Sequence, residues 1–132
     1  MALRWYTIVI DCTDVVTLAR WWAEALDWEI AYEADDGVVI LPRWYGEQEQ
    51  TTPFDRQSPG MVFVPVPEPK TVKDRIHIDL APHTNQDRDA EIQRLLDLGA
   101  TPVDVGQGPD VTWTVLADPE GNEFCVLSSR ER

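Results

Sequence analysis

Positive charge is the scarcest property of this chain. Among 132 residues, 11 are Lys or Arg and 24 are Asp or Glu, for a formal charge of −13. A nucleic-acid surface needs clustered cations to displace condensed counterions, so the balance argues against a nucleic-acid partner. It argues equally against an anionic membrane surface, whereas a cationic ligand would be drawn in. Long apolar runs are also missing. The opening MALRWYTIVID lacks the apolar stretch of a signal peptide, and no segment reaches the length of a membrane span. The expectation is a cytoplasmic protein. Cysteine is sparse, with only Cys12 and Cys125 and no CxxC pair. That reads as two free thiols in a reducing compartment, without a zinc ribbon.

Tryptophan, by contrast, is abundant. Trp5, Trp21, Trp22, Trp28, Trp44 and Trp113 call for a core, a subunit interface or a ligand to cover their rings. The length suits one domain, or two small halves sharing a core.

The pattern of elements is doubled. Residues 4–11 (RWYTIVID) are β-branched and aromatic, and predict a strand. Asp14 is a suitable N-cap, and Leu18, Trp21, Trp22, Ala25 and Leu26 follow at helical spacing. Residues 28–34 and 38–44 predict strands around the turn Asp35-Asp36-Gly37. Residues 46–59 are polar and predict a loop, and residues 60–66 a further strand. Residues 74–80 (DRIHIDL) then predict a strand, and Ile92, Leu95 and Leu96 the buried face of a second helix stopped by Gly99. Residues 101–105, 111–116 and 122–128 predict three more strands, the last two separated by Asp118-Pro119-Glu120-Gly121.

Two consecutive βαβββ modules result, over residues 1–66 and 74–132, within a single domain spanning 1–132. A shift of 70 places Thr7-Ile8 on His77-Ile78, and a shift of 61 places Gly60 on Gly121. Neither half can bury its own sheet face, so the expected class is α+β. Both modules are expected to form one curled mixed sheet around a cavity, with helices outside. Between them, residues 65–73 carry Pro65, Pro67 and Pro69 at alternate positions, a stiff extended linker. This segment holds both lysines of the protein, Lys70 and Lys73, with Arg75 close behind. They read either as an anion clamp or as cations settled against abundant carboxylates.

The doubled modules, the segment Asp11-Cys12-Thr13-Asp14 ahead of an aromatic helix, and Asp118-Pro119-Glu120-Gly121-Asn122 before the last strand resemble the glyoxalase/bleomycin-resistance/dioxygenase superfamily, with the vicinal oxygen chelate fold. Residues 66–80 with residues 123–127 (EFCVL) look like its glyoxalase-like subfamily. The resemblance covers nearly the whole chain. It implies a cup-shaped sheet around a small-molecule cavity and a homodimer, but no single chemistry. In metal-dependent members it implies four ligand positions, which fall here on Thr7, Val64, His77 and Cys125. Threonine and valine supply neither imidazole nor carboxylate, so the expectation is no metal, no cofactor and no stoichiometric transition metal.

Residues two apart in a strand share a face. The predicted cavity floor therefore holds Thr7, Val9, Asp11, Val64, His77, Asp79, Glu123 and Cys125. His77 with Asp79 is the candidate catalytic pair, a histidine whose tautomer a neighbouring carboxylate would set. Cys12 lies five residues from Thr7 and is expected on the opposite face, away from any bridge to Cys125. His83, in a Pro-His-Thr-Asn turn, reads as a solvated loop residue. Three functions follow: a metal-free binder of a small organic molecule, neutral or cationic; a metal-independent isomerase or lyase built on His77; and a metal enzyme with an atypical ligand set.

Overall fold

The β-branched opening segment forms strand β1 (Thr7–Cys12), starting three residues later than its pattern suggests. The structure is a computed structural model that describes residues 3–132. The Asp14 carboxylate accepts the Thr17 N–H at 3.2 Å and caps helix α1 (Val15–Leu26). Strands β2 (Glu29–Ala34) and β3 (Gly37–Leu41) form the expected hairpin. Strand β4 (Gly60–Pro65) inserts between β1 and β3, parallel to the former and antiparallel to the latter. Helix α1 covers one face of this sheet. Its Leu18, Ala19, Trp22 and Ala25 are buried, as are Val38, Ile40, Met61 and Phe63 of the sheet. Cys12 is buried too, whereas Thr7, Val9 and Asp11 alternate onto the other, open face, with Val9 55% exposed.

Residues 46–59 depart from expectation. The segment contains helix α2 (Tyr45–Thr51) and a 3₁₀ turn (Phe54–Arg56) where a loop was predicted. The order comes from residues distant in sequence. The Arg4 guanidinium lies 4.9 Å from the Tyr6 and Phe54 ring centroids and 5.8 Å from that of Tyr45. It donates to Gln57 Oε1 at 3.0 Å and to the Tyr45 hydroxyl at 2.7 Å. Gln48 Oε1 accepts the Ser58 N–H at 2.8 Å. A polar composition therefore hides a clasp that stacks one cation among three rings, and engaging Arg4 there leaves β1 to begin at Thr7.

The second unit repeats the topology. Its elements are β5 (Ile78–Leu80), α3 (Arg88–Leu98), β6 (Thr101–Pro102), β7 (Thr114–Ala117) and β8 (Glu123–Val126). The strand order β5-β8-β7-β6 matches β1-β4-β3-β2 of the first unit, again with the first and last strands parallel. Asp87 caps α3 by accepting the Ala90 N–H at 3.2 Å, and Gly99 ends it at φ 119°, in the left-handed region glycine favours. Arg88 fixes the helix start, donating to the Leu127 and Val126 carbonyls and to Thr114 Oγ1 at 2.8–2.9 Å.

All four of these strands are shorter than predicted. Residues 74–77 leave the β5 ladder because Asp74 bonds to Glu123 through both its backbone and its carboxylate. β6 ends at Pro102, with the Val103 N–H still donating to the Val115 carbonyl at 3.1 Å, and the chain then turns where Asp104 accepts the Gly106 N–H at 2.7 Å. β7 begins at Thr114, after this turn-rich stretch.

The class is α+β with a duplicated βαβββ order, and each module's four strands make a mixed sheet of their own. The chain divides into two compact units at Pro69/Lys70, inside the proline-rich linker. Trp21 and Trp22 are buried, whereas Trp5, Trp44 and Trp113 are exposed. Among the described residues, no helix is long and apolar enough to cross a membrane.

Candidate functional site

The parallel ladder between β5 and β8 sets Asp79 opposite Cys125, so both side chains stand on one sheet face. His77, two residues before Asp79, joins them there. Its Nδ1 lies 3.0 Å from Asp79 Oδ1, with both side chains largely exposed. An ionised carboxylate only accepts hydrogen bonds, so this contact makes Nδ1 the donor and leaves Nε2 as an acceptor. Cys125 is 7% exposed. Burial pushes its thiol pKa up and the Asp79 carboxylate pushes it further, against an opposing pull from Lys73. Such a thiol is a poor nucleophile at neutral pH.

These groups face a cavity of about 440 Å³ in the second unit. Trp113, Val105, Val115 and Leu127 supply its apolar wall. Lys73, Asp74 and Glu123 line it as well. Four expected floor residues, His77, Asp79, Glu123 and Cys125, are thus brought together. Thr7, Val9, Asp11 and Val64 belong to the open face of the first sheet, and Thr7 lines a separate recess of about 230 Å³ there with Tyr6, Val39 and Val62. Asp74, Gln107 and Trp113 were missed in the sequence reading. Trp113 carried a signal as an aromatic in a polar stretch, but Asp74 carried none.

Beside the cavity, Glu123 and Asp74 bind each other's backbone. The Asp74 N–H donates to Glu123 Oε2 at 3.1 Å, and the Glu123 N–H to Asp74 Oδ2 at 3.0 Å. Lys70 Nζ lies 3.0 Å from Glu123 Oε2 and 4.0 Å from Asp74 Oδ1. Lys70 is therefore settled against carboxylates and is not a free anion clamp. Burial raises the Asp74 pKa, and neighbouring Glu123 adds to the rise. Burial raises Glu123 as well, but the Lys70 ammonium and backbone N–H donors outweigh it and hold its pKa at about 2.

The signs are opposite. The Asp74 charge costs stability at neutral pH, and the cost is relieved as pH falls through its raised folded pKa. The Glu123 contribution is complete above its ordinary value of 4.5 and is lost as pH falls toward about 2. Glu123→Gln is expected to lose about 1–2 kcal/mol at pH 7, a deficit that shrinks on acidification. Asp74→Asn is expected to be neutral, or stabilising by up to about 1 kcal/mol. Urea unfolding at pH 7 and pH 3 checks both, and equal losses for the two variants would contradict this assignment.

A duplicated βαβββ fold with a recess on an open sheet face defines the glyoxalase/bleomycin-resistance/dioxygenase class. More narrowly, the family model described as a glyoxalase-like domain matches residues 7–127, and the chain belongs to that family. None of the curated proteins matches it. A glyoxalase/bleomycin resistance protein/dioxygenase family enzyme from Burkholderia phytofirmans PsJN superposes with a TM-score of 0.67 at 15% identity, over 97% of this chain and 100% of that one. The fosfomycin resistance protein FosX from Listeria monocytogenes, in a mutant complexed with Mn(II) and 1S,2S-dihydroxypropylphosphonic acid, gives 0.68 at 11% identity, over 98% and 92%. Hypothetical protein SA1046 from S. aureus gives 0.62 at 16%, over 97% and 99%. At these identities the likeness is one of fold.

The four-ligand metal set of the superfamily does not fit this chain. His77 and Cys125 offer donors, but Thr7 and Val64 do not. Strand register sharpens the point. Under the shift of 70, Asp79 corresponds to Val9, whose ladder partner is Val62. Under the shift of 61, the counterpart of Cys125 is Val64. Both are valines, so the first module lacks the donor under either alignment.

Proposed function

We propose that this protein binds a small organic molecule, neutral or cationic, against the open face of its second sheet. The observation that carries the reading is the His77–Asp79 pair facing a cavity of about 440 Å³ beside Trp113. That volume is within the usual range for small-ligand sites, and the wall is mostly apolar with a few convergent polar groups. Trp113 offers a ring face to a cation or a flat ligand, and Asp79 is a strong acceptor with no lysine or arginine paired to it among the described ion pairs. The acidity of this recess rests on Asp79, Asp74 and Glu123, the last neutralised by Lys70.

A thermal-shift screen with matched basic, neutral and acidic compounds tests the reading. Asp79→Asn should weaken the best basic ligand by roughly 1–3 kcal/mol through loss of a charge-assisted hydrogen bond. Stabilisation by anionic compounds alone, abolished in Lys73→Ala, would overturn it.

The 3.0 Å His77–Asp79 contact supports a second reading, a metal-independent isomerase or lyase with His77 Nε2 as general base. His77→Gln would then abolish turnover while leaving ligand binding in place. We also take the chain to act as a homodimer, as its superfamily resemblance implies, and to work in the cytoplasm. A monomer mass by light scattering would remove that part of the reading.

A further inference from the structure

Besides the Cys125 thiol, the ionisable groups lining the cavity of the second unit are Lys73, Asp74, His77, Asp79 and Glu123. Much of their charge is already answered within the protein. Lys70 Nζ stands 3.0 Å from Glu123 and 4.0 Å from Asp74, and the Glu123 N–H donates to the Asp74 carboxylate. His77 donates to Asp79 through Nδ1 and, as a neutral ring, brings no compensating charge. One carboxylate and one ammonium remain. Among the described residues, Asp79 has no ion pair with a lysine or arginine, and Lys73 has none with a carboxylate. We propose that the bound molecule is a free amino acid, a small zwitterion whose ammonium meets Asp79 and whose carboxylate meets Lys73. This rests on the small-molecule reading above and names the class of its ligand.

Both charges have capacity to spare. Lys73 uses one of its three N–H donors, in a 3.2 Å bond to the Asp74 carbonyl. His77 and the Cys125 thiol occupy two acceptor sites of Asp79, and a carboxylate has about four. The two groups also address one region. Asp79 is the ladder partner of Cys125. That thiol is pushed up by Asp79 and pulled down by Lys73, so both charges reach the same end of the cavity.

A ligand of one sign is served less well. An anion at Lys73 would stand near Asp79, Asp74 and Glu123, and like charges at close range repel. A simple cation at Asp79 would face the Lys73 ammonium. A zwitterion answers both groups and arrives without net charge, so the −13 of the chain does not repel it. A cavity of about 440 Å³ admits an amino acid with an apolar or aromatic side chain. Trp113, Val105, Val115 and Leu127 form the wall which that side chain would meet.

The test is a thermal-shift panel on the whole chain, followed by calorimetry, with the common L-amino acids as probes. Each is run beside its amide, which keeps only the ammonium, and its N-acetyl form, which keeps only the carboxylate. At least one apolar or aromatic amino acid should bind about tenfold or more tightly than either of its blocked forms. Asp79→Asn should weaken that amino acid and its amide by about tenfold or more, without weakening the N-acetyl form. Lys73→Gln should do the reverse, weakening the amino acid and the N-acetyl form and sparing the amide. Both positions are exposed, so folding is not at stake. Amides that bind as tightly as the amino acids, and do so unchanged in Lys73→Gln, would overturn the zwitterion and leave the cationic-ligand reading standing. Failure of every amino acid overturns it too, and the basic and neutral compounds of the wider screen then report on the broader reading separately. Binding of the N-acetyl forms alone, lost in Lys73→Gln, would overturn both.

Discussion

Trp22→Ala should unfold this protein at far lower denaturant than the parent, with a loss of about 3–5 kcal/mol. Trp22 is 2% exposed and is among the largest fully buried side chains. It stands edge-on to Trp21, with centroids 5.1 Å apart and planes at 82°, an arrangement that adds to simple burial. Truncation removes the ring from the layer between α1 and the first sheet, where Phe63, Ile40 and Val38 are also sealed from water. The surrounding helix and strands cannot collapse fully into the space, so a cavity cost joins the lost transfer energy. Urea unfolding followed by far-ultraviolet circular dichroism measures the loss. Trp44→Ala, at an exposed position, is the control and should cost less than about 1 kcal/mol. A loss below that for Trp22→Ala would place the core of the first unit elsewhere.

Asp118→Ala should cost about 2–4 kcal/mol, the second-largest effect. Asp118 is 3% exposed and is the one buried charged residue among those described. Its Oδ1 accepts the Glu120 N–H at 2.9 Å and the Asn122 N–H at 3.0 Å, while Oδ2 accepts the Asn122 side-chain amide at 2.9 Å. Alanine leaves these donors without their acceptor inside a turn that also needs Gly121 at φ 88°. Asp118→Asn keeps an acceptor in the same place and should cost about half as much. Equal losses for the two variants would show that the charge matters more than the geometry. The family-like segment Asp118-Pro119-Glu120-Gly121-Asn122 is on this account a structural device. It reverses the chain between β7 and β8 and thereby sets the register that places Cys125 opposite Val115.

Legibility varied with the range of the interaction responsible. Helix α1 was clear because its cap at Asp14 and its apolar spacing are local features. The polar segment after Trp44 was misread because what orders it, the Arg4 clasp, arrives from about fifty residues away in sequence. Strand β5 was overextended because nothing near Asp74 announces that its carboxylate will be claimed by Glu123. That His77 and Asp79 share a face followed from strand alternation, whereas their 3.0 Å contact did not. The role of Lys70 did not follow: proline spacing marks a stiff linker, but only the fold shows its ammonium 3.0 Å from Glu123.

Composition and pattern by themselves determined the α+β class and the doubled βαβββ order, which depend on residue type and on periods of two or about 3.6 present in the linear chain. The resemblance carried by the quoted motifs supplied the family and the loss of donors at Thr7 and Val64. Tertiary structure decided which polar groups meet. It neutralised Glu123 and set Asp79 beside both His77 and Cys125. Those outcomes turn on ladder register and on ångström-scale distances between segments far apart in the chain. Strand period alone is blind to them, because alternation specifies a face but not the neighbour across it.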